Sequence, residues 1–146
     1  MAGNGTITSA NSSFTITVPG LYNSPVQLQG YAADRAWESE GIEIGETPMG
    51  VDGHLSAGYT PQPVVQTIHL QADSPSIDLF DTIFNATKAS REMYRLSGSI
   101  TLPATGKAYS LTRGFLVNYK PLPDGAKTLQ PVDFQIKWES INPTYV

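Results

Sequence analysis

The residues able to do chemistry are few, and none stands in a working arrangement. His54 and His69 are the only imidazoles, and there is no cysteine. Neither histidine has a ligand spacing such as His-Glu-x-x-His. His69 alternates with Ile68 and Leu70, which puts it on the polar face of a strand, a structural position. Gly53-His-Leu-Ser56-Ala-Gly58 has a glycine two residues after its serine, as a nucleophile elbow has. His54 takes the upstream glycine's place, however, and no strand-to-helix turn follows. Thr105-Gly106-Lys107 is similar to the end of a phosphate loop, but the upstream glycine is missing. Ala108 also stands where a magnesium-binding hydroxyl belongs, so a hairpin turn is the better reading. Glu38, Glu40 and Glu43 offer carboxylates for glycoside hydrolysis, on a loop with nothing to fix their separation. Tyr22, Tyr31, Trp37 and Tyr59 have rings of the kind that stack on sugars, but such rings more often fill cores and subunit interfaces. The expectation is a protein that is not an enzyme, with no catalytic, cofactor-binding or metal-binding residue.

The elements that would position these groups are mostly strands. Phe14, Ile16 and Val18 alternate with Thr15 and Thr17, and Pro19-Gly20 ends the run. Val26 and Leu28 alternate with Gln27 and Gln29. Residues 34–50 break the pattern: Asp34, Glu38, Glu40, Glu43 and Glu46 are five of the 13 acidic residues, with Arg35 the single base. A short extended piece is predicted at 42–44. Structureless loops of this length are uncommon unless they serve a function. Trp37, Ile42, Ile44 and Met49 have little use on a solvated loop, so 34–50 is predicted to order against a neighbouring subunit. Strands are predicted near 55–59 and 64–71, with one helix at about 75–89. Ser74 is its expected N-cap, Pro75 its first position, and Asp78 lies near the positive end of the dipole. Ile77, Phe80, Ile83, Phe84 and Thr87 share one helical face. Leu96, Ile100 and Leu102 mark a strand joined by a turn at 103–107 to another at 109–117, an antiparallel hairpin. A second long loop covers 120–125. The last strand sets Val132, Phe134, Ile136 and Trp138 on one face. Asp133, Gln135, Lys137 and Glu139 lie on the other, a candidate for solvent or lumen. The tail 142–146 is apolar enough to dock. Links too short for crossovers favour antiparallel pairing. The predicted architecture is mainly β, an antiparallel β-sandwich or partly closed barrel with one flanking α-helix, in a single domain over 1–146.

Composition narrows the classes. Charged residues make up only 15% of the 146, which suits a surface partly covered by partners. A net charge of −4 argues against phosphate capture, which uses basic patches. The opening residues have no basic stretch leading into an apolar core, so no signal peptide is expected. No run approaches the roughly 20 apolar residues of a membrane span, so no membrane insertion is expected.

Several phrases together resemble the tail tube proteins of contractile-tailed bacteriophages. They are Thr6-Ile-Thr-Ser-Ala-Asn-Ser-Ser-Phe14, Val26-Gln-Leu-Gln-Gly-Tyr-Ala32 and Met49-Gly-Val-Asp-Gly-His-Leu-Ser-Ala-Gly58, then Leu70-Gln-Ala-Asp-Ser-Pro-Ser76, Leu102-Pro-Ala-Thr-Gly-Lys107 and Phe134-Gln-Ile-Lys-Trp-Glu139. The resemblance spans nearly the whole chain and is weakest at 119–130 and the C-terminus. It implies a structural virion protein that self-assembles into hexameric rings, stacked head to tail as a hollow tube inside a contractile sheath. The implied partners are further copies of the chain and the tail sheath protein. The tape measure protein and passing DNA would occupy the lumen without specific binding. The implied location is the virion tail, assembled in the host cytoplasm. A tailocin tube, a type VI-like secretion tube and a tail-end adaptor share the fold; a carbohydrate-binding β-sandwich is the reading from another class. On the tube reading, 34–50 is the inter-subunit arm, with Trp37, Glu38, Glu40, Ile42, Ile44 and Met49 as contacts. Deleting about 38–47 would then spare the fold and stop tube growth, while an acidic bore would let DNA slide.

Overall fold

Alternation builds most of the sheet. The computed structural model describes residues 12–29, 31, 36–103, 105–120 and 122–145. Asp34 and Arg35, the opening phrase from Thr6 to Asn11, and Val146 lie outside the described residues. The chain runs β1 (Ser13–Val18), β2 (Tyr22–Gln27), β3 (Trp37–Ser39), β4 (Gly45–Glu46), β5 (Gly58–Tyr59), β6 (Val64–Leu70), α1 (Ile77–Ser90), β7 (Leu96–Leu102), β8 (Lys107–Tyr119) and β9 (Val132–Tyr145). Seven strands make one antiparallel sheet in the order β2-β1-β7-β8-β9-β6-β3, and β4 pairs with β5 as a separate ribbon. The fold is mainly β with one flanking helix, as predicted, and the sheet is not closed.

The sheet instead folds over itself. Phe14 of β1 and Trp37 of β3 lie near opposite ends of the strand order, yet their rings meet edge to face at 5.7 Å. Tyr31, just past β2, makes a single backbone bridge to Leu70 of β6, which among the described residues is the one ladder contact between the two ends. The bend comes from β8 and β9. Leu111 pairs with Ile141 and Gly114 with Trp138, and both pairs face inward although three residues separate them along each strand. The inward face therefore switches parity between them, where Arg113 adopts φ 46° and a bulge interrupts the β7–β8 register. Trp138 fills the corner. A Cβ on Gly114 would overlap its indole, and one on Gly98 would sit 3.4 Å away. The indole N–H donates to Gln66 Oε1 at 2.9 Å, which satisfies a buried amide oxygen.

The helix covers one mouth of this curl. Phe80 stacks on Phe134 at 4.4 Å, and Leu79 and Ile83 are buried beside it. Phe84 is partly exposed and stacks on Tyr119 at 4.4 Å. The helix begins two residues later than the proline at its first turn suggests. Ser74 still accepts a backbone N–H, from Ser76 at 3.2 Å, and its hydroxyl also reaches the Gln29 carbonyl. The intervening turn is tight, with amides reaching back three residues from Ile77 and Leu79. β9 runs past its predicted end through Asn142 and Pro143 to Tyr145, paired throughout with β8. β6 stops opposite Trp138, so, among the described residues, 139–145 pair on one side only, the edge position in which a proline is tolerated.

Two changes probe this packing. Gly114→Ala is expected to lower stability by about 1–3 kcal/mol in urea unfolding, because the indole has nowhere to move. An unchanged midpoint would show that the corner is loosely packed. Tyr31 has a buried hydroxyl with no partner among the described residues, and burial raises its phenol above the usual range. Below about pH 10 both states keep the proton; above it the unfolded chain ionises first and stability falls as pH rises. Tyr31→Phe should leave stability at pH 7 within about 1 kcal/mol of the parent, or improve it, and should flatten the loss measured towards pH 11.

Candidate inter-subunit interface

Residues 40–62 leave the sheet between β3 and β6 and form an arm. Among the described residues, its strand pairings are the β4–β5 ribbon and a Met49↔Leu55 bridge. Ile44 is 73% exposed and Met49 64%, and Ile42 is also open to solvent. The returning limb adds Val51, Leu55 and Tyr59, the last 78% exposed. Sequence reasoning assigned residues 55–59 to a strand and missed their exposure. The signal was there in Gly50, Gly53 and Gly58, which interrupt any apolar face long enough to bury. The extended piece expected at 42–44 lies instead at Gly45–Glu46, because Gly45 packs directly against the Gly58 carbonyl. Residues 55–57 carry no strand beyond the Met49↔Leu55 bridge, and only Gly58–Tyr59 pairs.

The arm's root is sheet. Trp37, Glu38 and Ser39 pair with Ile68, Thr67 and Gln66. Trp37 packs its ring on Phe14 and, at 5.5 Å, on Tyr31, so much of that side chain is used within the subunit. It also lines a cavity of about 280 Å³ with Ile100, Leu111 and Ile141 at the mouth opposite the helix. Glu40 is exposed, and its amide donates to the Val65 carbonyl at 3.0 Å. Removing 38–47 would therefore cut an edge strand as well as the arm. His69 secures this root. Its Nδ1 lies 2.5 Å from Asp133 Oδ1 and its Nε2 3.1 Å from Glu38 Oε1, which links β9, β6 and β3. His54 is exposed on the arm, its amide bonded to Asp52. No nucleophile lies beside either histidine among the hydrogen bonds of the described residues. Tyr119 donates to the Asp81 carboxylate, and burial, followed by that bond and charge, holds its phenol above the usual range.

Residues 5–142 match the model of the family described as tail fiber protein gp32. The chain belongs to that family. A search of curated proteins returns no match. Among solved structures, the fold of this gp32 family member is similar to a chain of the sheath–tube complex of the PVC extracellular contractile injection system, in its extended state. That match has a TM-score of 0.59 at 15% identity over 99% of this chain and 95% of the other. A chain of the anti-feeding prophage tube-terminating cap gives a TM-score of 0.60 at 12% identity, over 91% and 88%. A chain of the anti-feeding prophage baseplate gives 0.57 at 12%, over 92% and 93%. The gp32 family member thus has the fold found in components of contractile injection systems.

The His69 contacts make a local prediction. His69→Ala should raise hydrogen exchange at the Glu40 amide about tenfold, while global stability falls by no more than about 1 kcal/mol. Equal loss at β3 and in the core would show that the histidine supports the whole sheet.

Proposed function

We propose that the chain is a structural subunit that self-assembles into stacked hexameric rings, the inner tube of a contractile tail through which DNA reaches the host. The observation that carries this reading is the arm: an acidic, apolar hairpin exposed within the subunit, on a fold found in a sheath–tube complex. Among the described residues β2 ends the sheet on one side and residues 139–145 pair with one neighbour only, which suits the same reading, since ring closure is one way to cover such edges. The partners on this reading are copies of the chain, the tail sheath protein on the outside, and the tape measure protein and DNA in the bore. A net charge of −4 suits a wall that repels phosphate. The site is the virion tail, with assembly in the host cytoplasm. Ile42, Ile44, Met49, Glu38, Glu40 and Trp37 belong to the arm and its root, and the exposed apolar trio supplies the contacts. A tailocin or secretion-device tube would use the same surfaces.

The likeness to a tube-terminating cap favours one second reading, a ring that ends a tube. Two of the four rings named for carbohydrate stacking pack within the subunit, Trp37 onto Phe14 and Tyr31 onto Trp37, which weighs against that reading, while Tyr59 stays exposed.

Electron microscopy of the purified protein separates these. Tubes of many rings are expected at high concentration, and single rings would favour the cap. Replacing residues 42–61 with a short Asn/Gly turn should leave the unfolding free energy in urea within about 1 kcal/mol of the parent and abolish tubes. Tubes of normal length from that variant would remove the arm from assembly.

A further inference from the structure

The charges of this chain are sorted along its sequence in a way its net charge hides. From 36 to 87 it carries Glu38, Glu40, Glu43, Glu46, Asp52, Asp73, Asp78 and Asp81, with no Lys or Arg. Every Lys and Arg except Arg35 lies from Lys88 onward. The arm is therefore apolar and purely acidic. On the outward face of β8 and β9 lies a groove of about 360 Å³ whose floor is apolar, from Pro63, Met93, Phe115 and Val117. Arg113 and Lys137 line it as well, with Glu139 the single acidic residue. Neither cation makes an ion pair among the described residues. Arg113 stands there because the bend of the sheet gives it a left-handed backbone, φ 46°. Met93 and Val117 are open to solvent.

We propose that this groove receives the arm of a second copy of the chain, with Ile42 and Ile44 on the apolar floor and Glu43 and Glu46 facing Lys137 and Arg113. Charge and polarity both match: the arm offers isoleucines flanked by carboxylates, and the groove offers an apolar floor flanked by cations. The arm does not fill its own groove, since Ile44 remains 73% exposed although Pro63, where the arm rejoins the sheet, lines that groove. A limb of about ten extended residues spans roughly 30 Å, enough to cross to an adjacent subunit. This inference rests on the assembly proposed above and names the surface that the arm meets.

The test uses the full chain, which has no native cysteine to confuse it. Ile44→Cys and Val117→Cys are made on separate chains, mixed, allowed to assemble and treated with diamide. A disulfide-linked dimer of the two variants is expected only in the mixture. Independently, Lys137→Glu and Glu43→Lys should each raise the critical concentration for assembly about tenfold by sedimentation, and a chain bearing both should return to within about threefold of the parent. Matched urea midpoints control for folding. Assembly without a mixed disulfide, with no recovery in the double variant, overturns the groove and leaves the tube reading standing. A disulfide formed only within one chain, when both cysteines are placed together, also overturns it, because the arm then folds back. A parent protein that stays monomeric at millimolar concentration removes the tube reading and this inference together.

Discussion

Trp138 sits where a seven-stranded sheet turns back on itself, and the turn depends on room being left for its ring. Gly114 and Gly98 leave out the side chains that would occupy that room, and Gln66 supplies the one acceptor the buried indole needs. With the ring seated, β8 and β9 switch their inward faces and the two ends of the sheet are brought together, Phe14 against Trp37. Without the bend, the inner face would remain a broad apolar surface, too large for one helix to cover. With the bend, the helix has only one mouth to close, and Leu79, Phe80 and Ile83 suffice.

The bend has consequences at the edges. Among the described residues, a sheet that curls without closing leaves one edge without a strand neighbour at β2 and along residues 139–145. Isolated proteins blunt such edges. Pro25 in β2 and Pro143 in β9 do so in part, since each lacks an amide donor. The arm is the opposite kind of feature, because it adds exposed apolar surface and carboxylates with no benefit to the subunit. Its root is fixed by sheet pairing and by His69 between two carboxylates, so the arm is held at a set position. A rigidly rooted arm beside open edges is costly for a monomer and useful to a repeating assembly.

Much of the fold was legible because β1 and the first half of β9 alternate cleanly, and their buried residues are the ones the pattern selects; in β6 the pattern selects Ile68 and Leu70 but not the buried Gln66. The helix was legible from Ser74, Pro75 and the Phe80–Ile83 spacing. Leu79 escaped because it falls between the positions of the chosen stripe. β3 was hidden for a different reason. Three residues are too few to show alternation, and Trp37-Glu-Ser sits in an acidic stretch that reads as loop. The extension of β9 was hidden because Asn142-Pro143 reads as a terminator, and only the missing neighbour on that side makes the proline acceptable. The parity switch near Arg113 is invisible to any reading that assumes a constant period of two. Of the proposed interface, Ile42, Ile44 and Met49 stood out as apolar residues without a pattern. The groove did not stand out, because Met93, Phe115 and Lys137 come together only after the sheet bends.

In the proposed assembly, copies of this chain complete one another's backbone ladders. Hydrogen exchange at those amides of Tyr22–Gln27 and of residues 139–145 that point away from β1 and β8, followed from micromolar to millimolar protein, measures this directly. Fast exchange in dilute solution, slowing together with the growth of rings, is the expected result. Amides already protected in the monomer, or particles that grow while those amides stay open, would contradict it.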